Sequence, residues 1–267
     1  MSLTAKDVAA RVQVNIPFGF LVDGYLERFL TGGLNPEIGL DATALGRYPD
    51  ETFAGIGQTF ATAGRRITLH APFQDLLPGA LDGLIREASR RRLGQAFRFL
   101  PAFQPRAIVC HTGYEARLYH WNRDEWLDHS EATWRQLAGT AQAHGVRLHL
   151  ENVYETDPTL FLDLLGRLAD LGNVGFCLDV GHLLAFGGGD FDAWLEALWP
   201  HVSQLHLHDN AGDADHHLAL GRGKVPLAYV LEFLAARRVR PLVTLEPHQE
   251  GSLQPSLSYL GDIWPWD

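Results

Sequence analysis

Short runs of β-branched and leucine residues alternate with longer amphipathic stretches along the whole chain. Eight of these runs read as strands: VQVNIPF (12–18), EIGLD (37–41), RITLHA (66–71), AIVCHT (107–112), RLHLEN (147–152), VGFCLD (174–179), SQLHLH (203–208) and PLVTLE (241–246). Between them the apolar positions recur every three or four residues. That spacing predicts helices over 49–63, 81–100, 123–144, 158–171 and 227–238, with a short last helix after residue 252. Strands that alternate with helices predict βα units on a parallel sheet. Eight such units predict a closed (β/α)8 barrel rather than an open doubly wound sheet. One domain over residues 1–267 is expected, since a single barrel routinely reaches this length.

The polar residues of the strand runs collect at their carboxyl ends: His70, His111, Glu151, Asp179, His206 and Glu246. Side chains alternate between the two faces of a strand. With Leu69, Leu150, Leu178, Leu205 and Leu245 turned to the helices, His70, Glu151, Asp179, His206 and Glu246 point to the barrel axis. His149 and His208 share the inward parity, and His149, one layer below Glu151, reads as a hydrogen-bonded interior residue. All strand ends of a barrel open on one face, the face that carries active sites. Carboxylates crowded there raise one another's pKa unless a cation holds them ionised. Mixed imidazole and carboxylate donors point to a divalent transition metal, zinc first, with manganese, iron or cobalt as alternatives.

Composition narrows the partners. The chain has 267 residues, 46% of them hydrophobic, and a formal net charge of −10, which disfavours a surface built to neutralise many phosphates. The densest basic cluster, Arg86, Arg90, Arg91 and Arg92, falls mid-helix and reads as a solvated face. Cys110 and Cys177 sit in apolar runs and read as buried free thiols of a reducing compartment. No apolar segment is long enough to span a bilayer or act as a leader, so a cytoplasmic protein without membrane partners is expected.

LHAPF (69–73), CHTGY (110–114), LENVY (150–154), LDVGH (178–182), LHLHDN (205–210), DHHLALGRG (215–223) and TLEPH (244–248), in this order, resemble the metal-binding blocks of the endonuclease IV / xylose isomerase-like TIM-barrel superfamily. The resemblance implies a core for one ion in Glu151, Asp179, His206 and Glu246, the set shared with sugar isomerases and epimerases. The endonuclease IV pattern adds His70 and His111 beside Glu151, and His182, Asp215 and His217 for a third ion. All nine positions hold the required residue types, so one to three divalent ions per chain are implied, with two or three favoured.

The first reading is therefore a metal-dependent phosphoester hydrolase acting on a small or nucleotide-like phosphorylated substrate rather than on duplex DNA. Its alternatives are a sugar or sugar-phosphate isomerase or epimerase, and a non-enzymatic binding barrel. Glu151 and Glu246 are the expected catalytic carboxylates: ligands and water-orienting groups in a hydrolase, an acid/base pair in an isomerase. Some ketose epimerases place a substrate-binding arginine where this chain has Gly212, which counts against that branch. Phe73, Trp121, His208 and Arg222 are expected to meet the substrate, Phe73 where the family inserts an aromatic and Arg222 through a phosphate. The glycines around Arg222 also fit a tight turn, and turn chemistry accounts for Asp209 and Asn210.

Overall fold

The computed structural model describes residues 2–266. Its eight strands are β1 (Gln13–Pro17), β2 (Asn35–Gly39), β3 (Thr68–His70), β4 (Ala107–His111), β5 (Arg147–Glu151), β6 (Val174–Asp179), β7 (Val202–Leu207) and β8 (Leu242–Leu245). All pair in parallel in sequence order, and β8 closes onto β1. This is the expected (β/α)8 barrel.

Alternation along the strands produces two different packings. Leu69, Ile108, Leu148, Leu150, Phe176, Leu178, Leu205 and Leu207 belong to the hydrophobic core between sheet and helices. The helix Arg123–Ala143 meets it with Trp126, Leu127, Ser130, Thr133, Trp134, Leu137, Ala138 and Ala141, a buried stripe at three- and four-residue spacing. The barrel axis is polar instead. Gln13, Glu37, Thr68, His149, Gln204, His206 and Thr244 are all buried to 0% exposure. Burying such groups is costly unless they bond to one another. Most do, through Glu37: its Oε2 accepts from Thr68 Oγ1 (2.9 Å), Gln204 Nε2 (2.6 Å) and Thr244 Oγ1 (3.1 Å).

Two elements differ from expectation. Strand β2 begins at Asn35, so Glu37 lies mid-strand, and Asp41 lies outside it. Asp41 instead caps the helix Ala42–Arg47, accepting from the Ala44 amide at 2.7 Å. The last helix is not short: it runs Glu250–Ile263 through Pro255. Tertiary packing carries it, with Ser256, Leu257 and Leu260 buried and the Leu3 amide bonded to the Gly261 carbonyl at 3.1 Å. No described helix is long and apolar enough to cross a membrane. At the carboxyl ends of the strands a cavity of about 770 Å³ opens.

Candidate metal centre

Register brings the donors to one level. Parallel pairing sets His111 beside Glu151 and Asp179 beside His206. Glu151, at the end of β5 and 1% exposed, is the hub. Its Oε2 lies 3.1 Å from both His70 Nε2 and His111 Nε2. Its Oε1 lies 3.1 Å from His206 Nδ1 and 3.5 Å from His182 Nδ1. Glu246 adds its Oε1 3.1 Å from the same His206 Nδ1, and Asp179 Oδ2 is 3.5 Å from His182 Nδ1. A second group follows across His182: Asp215 Oδ2 is 3.6 Å from His182 Nε2 and 3.1 Å from His217 Nε2. The nine residues singled out in the sequence form one contiguous cluster, with Glu151 between its parts.

The imidazoles are held in defined tautomers. His70, His182 and His217 each donate Nδ1–H to a backbone carbonyl, of Ala71 (2.9 Å), Asn152 (3.1 Å) and Glu246 (3.0 Å) respectively. Each therefore turns Nε2 toward the carboxylates, where a metal would take the place of its proton, the orientation that outer contacts impose on metal-binding histidines. His206 is turned the other way, with Nε2 3.0 Å from Glu37 and Nδ1 facing the cluster.

Without a cation the cluster is electrostatically tense. Burial alone would push His182 down, but Asp179, Asp215 and Glu151 outweigh it and lift the ring to about 10. His206 is raised in the same way, against its burial, by Glu37, Glu151 and Glu246. Burial, with Asp179 and Glu151 nearby, raises the Glu246 carboxyl. Protons on the imidazoles thus stand where a metal's charge would serve. Buried Asp215 Oδ1 has no hydrogen-bond partner, another feature that fits a cation. The donor set, the tautomers and this orphaned oxygen all suit divalent metal.

The four residues expected at the substrate are placed differently from one another. Phe73 stands in the cavity wall, its ring 4.4 Å from that of His111. His208 is 1% exposed and lies inside the cluster. Its Nε2 donates to Asp179 Oδ1 at 3.0 Å, its ring stacks on His217 at 3.7 Å, and its Nδ1 is 3.4 Å from Asp215 Oδ1. Gly181 makes room for it, since a Cβ there would come within 2.0 Å of the ring. Trp121, 84% exposed, and the exposed Arg222 are not among the cavity's lining residues.

For Arg222 the loop after β7 shows why. Asp209 is buried and does more than open a turn. Its Oδ1 accepts from the amides of Asn210 (2.9 Å) and Val225 (3.0 Å), and its Oδ2 from Gly221 (3.0 Å) and Gly223 (2.8 Å). The loop that carries Asp215 and His217 is clamped on this carboxylate. A Cβ on Gly223 would meet the Asn210 carbonyl oxygen at 2.2 Å, and one on Gly221, at φ 77°, the Tyr259 ring at 2.5 Å, so the glycines flanking Arg222 serve close approach and a tight turn. The clamp also holds His217 at φ 46°, a left-handed conformation unusual for a residue with a side chain.

Several contributors were not singled out in the sequence. Glu37 falls at the edge of its expected strand, where parity gives no direction. Asn152 joins two strand ends, its side chain donating to the Asp179 carbonyl and accepting from the Asp179 amide, both at 2.9 Å. Glu155 lines the cavity, is raised by burial, and accepts from Thr112 Oγ1 at 2.9 Å. His248 stacks on His217 at 3.5 Å from the cavity side. Only Glu37 carried a usable signal: moving the strand start by two residues makes it inward-facing.

The sequence profile of the xylose isomerase-like TIM barrel family matches residues 36–263, from β2 to the last helix. The chain belongs to this family. Among xylose isomerase-like barrels, a probable endonuclease 4 of Mycobacterium leprae (strain Br4923) is 28% identical over 170 residues, 60% of this chain and 64% of its own length. The chain spans about three-fifths of the length of the curated relatives it matches. A structure of the TTHB071 protein from Thermus thermophilus, soaked with ZnCl2, has a TM-score of 0.79 at 26% identity over 95% of this chain and 97% of that one. A D-tagatose 3-epimerase-like protein has a TM-score of 0.78 at 21% identity over 94% and 97%, a likeness of fold alone.

Proposed function

We propose that this xylose isomerase-like barrel is a divalent-metal-dependent phosphoester hydrolase with more than one ion per chain. The observation that carries the reading is the continuity of the nine donors through Glu151. Four of them would suffice for a single-ion isomerase core. His70 and His217, buried, and His111 and Asp215, half-buried, would then be costly polar groups without a task. The likeness to a probable endonuclease 4 supports the phosphoester reading, and the likeness to a protein soaked with ZnCl2 supports zinc in this role.

His70, His111 and Glu151 would hold one ion, Glu151, Asp179, His206 and Glu246 a second, and His182, Asp215 and His217 a third. Bound there, the ions supply Lewis-acid charge for phosphoryl oxygens and lower the pKa of a water. The protein's own part is orientation. Backbone carbonyls aim three imidazoles, Asp209 fixes the loop, and Glu246 stands beside His206 where it can accept a proton from an attacking water. Phe73 and His248 flank the opening as apolar and imidazole walls for the remainder of the substrate.

The cavity also bears on substrate size. Among the described residues that line it there is no lysine or arginine, while Asp41, Asp75, Glu115 and Glu155 stand in the wall. Positive charge for a phosphate then comes from the metal ions alone, and a polyanion would meet carboxylates beyond them. A small phosphoester with an uncharged remainder fits better than duplex DNA. A substrate panel tests this. Zinc-loaded protein is expected to turn over bis(4-nitrophenyl) phosphate or small nucleotide phosphodiesters faster than a duplex containing an abasic site. Interconversion of a ketose–aldose pair, with no phosphoester cleaved, would replace the reading by the isomerase one.

A further inference from the structure

Glu37 belongs to β2 and touches no cavity, yet the barrel interior is organised around it. Its Oε2 is saturated by the three donors Thr68, Gln204 and Thr244. Its Oε1 makes no hydrogen bond of good geometry and has one polar neighbour, the Nε2 of His206, at an ion-pair distance of 3.0 Å. The protons in this network can be assigned. Gln204 Oε1 accepts from His149 Nδ1 at 2.9 Å, so the Gln204 amide nitrogen must face the axis. Its two hydrogens go to Glu37 Oε2 at 2.6 Å and Thr244 Oγ1 at 3.0 Å. Gln204 Nε2 also lies 3.3 Å from His206 Nε2, but no hydrogen remains to donate there. A carboxylate facing His206 Nε2 keeps a proton on that nitrogen, so a metal that displaces the proton shared by Nδ1 with Glu151 and Glu246, each 3.1 Å away, would bind at Nδ1.

We propose that Glu37 is a positioning residue for the metal centre: its buried carboxylate fixes His206 in the Nε2–H tautomer and so presents Nδ1 to an ion held with Glu151, Asp179 and Glu246. The inference rests on the metal-dependent reading above. It also explains why His206, unlike His70, His182 and His217, is oriented by a carboxylate. The other anchored rings use backbone carbonyls at the strand ends, whereas His206 Nε2 points down the barrel axis, where only side chains are available.

The test has two arms. In zinc-loaded wild-type protein labelled with nitrogen-15, long-range imidazole correlations should show His206 protonated at Nε2 and metal-shifted at Nδ1. In Glu37→Gln, an amide would aim hydrogens at one set of donors. Chelator competition should show one class of zinc bound about 10–100-fold more weakly, the usual cost of losing such an outer contact, with the other classes unchanged. Thr68→Val, which removes a donor on the far oxygen only, should weaken zinc less than Glu37→Gln does. Zinc on His206 Nε2 would overturn the proposal, as would wild-type affinity in Glu37→Gln. The NMR arm needs no variant to fold. If wild-type protein takes up no zinc at all, the metal-dependent reading falls and the proposal with it. If it loads normally and Glu37→Gln is indifferent, only the role of Glu37 falls.

Discussion

Glu151→Gln should abolish phosphoester turnover and strip zinc from the protein while the barrel still folds. The side chain keeps its size, so the loss is electronic. One carboxylate oxygen faces His70 and His111 and the other faces His206 and His182. Glutamine offers a single acceptor, and its NH2 group must point a donor at one of these pairs. Every ion that shares this residue loses a charged ligand. The effect should exceed the roughly 100-fold cost of removing an outer contact. Metal analysis, turnover and far-ultraviolet circular dichroism on the same preparation check it. Full zinc content with wild-type turnover would show that Glu151 is not the hub.

Asp209→Ala should have the largest effect on stability of any single change in the site loop. Four backbone amides converge on this carboxylate, and each buried donor left unpaired costs about 1–3 kcal/mol. Some of the four will find water, so a loss of about 4 kcal/mol, the upper end for single substitutions, is expected. The consequence for function is local. Asp215 and His217 ride on this loop, which would be left with the backbone bridge between Asp209 and Leu218 and the His217 contact with the Glu246 carbonyl. Urea denaturation gives the stability change, and zinc titration should show the Asp215–His217 position weakened before the Glu151 position. A change under about 1 kcal/mol, the low end for one unpaired donor, would mean the amides have other partners.

Much of this was legible in the chain. Alternating leucines turned His70, Glu151, Asp179, His206 and Glu246 inward, because a two-residue period survives folding unchanged. The barrel followed from the count of βα units. What stayed hidden depended on distance in sequence. His208 had the right parity, but its place between Asp179 and Asp215 requires the loop to fold back over β7. Asp209 resembled an ordinary turn residue until the Gly221 and Gly223 amides arrived 12 and 14 positions later. Trp121 and Arg222 carried plausible chemistry with no backbone to aim it. Glu37 depended on a strand boundary, the feature that local pattern fixes least well.

The number of ions the barrel holds separates a multinuclear hydrolase from a single-metal isomerase. Metal-free protein reconstituted with excess zinc, dialysed, and measured by plasma mass spectrometry against protein concentration answers this directly. With nine donors in one cluster we expect more than one equivalent per chain, two or three when all positions fill. A firm ratio of one would contradict the multinuclear centre and leave the isomerase core of Glu151, Asp179, His206 and Glu246.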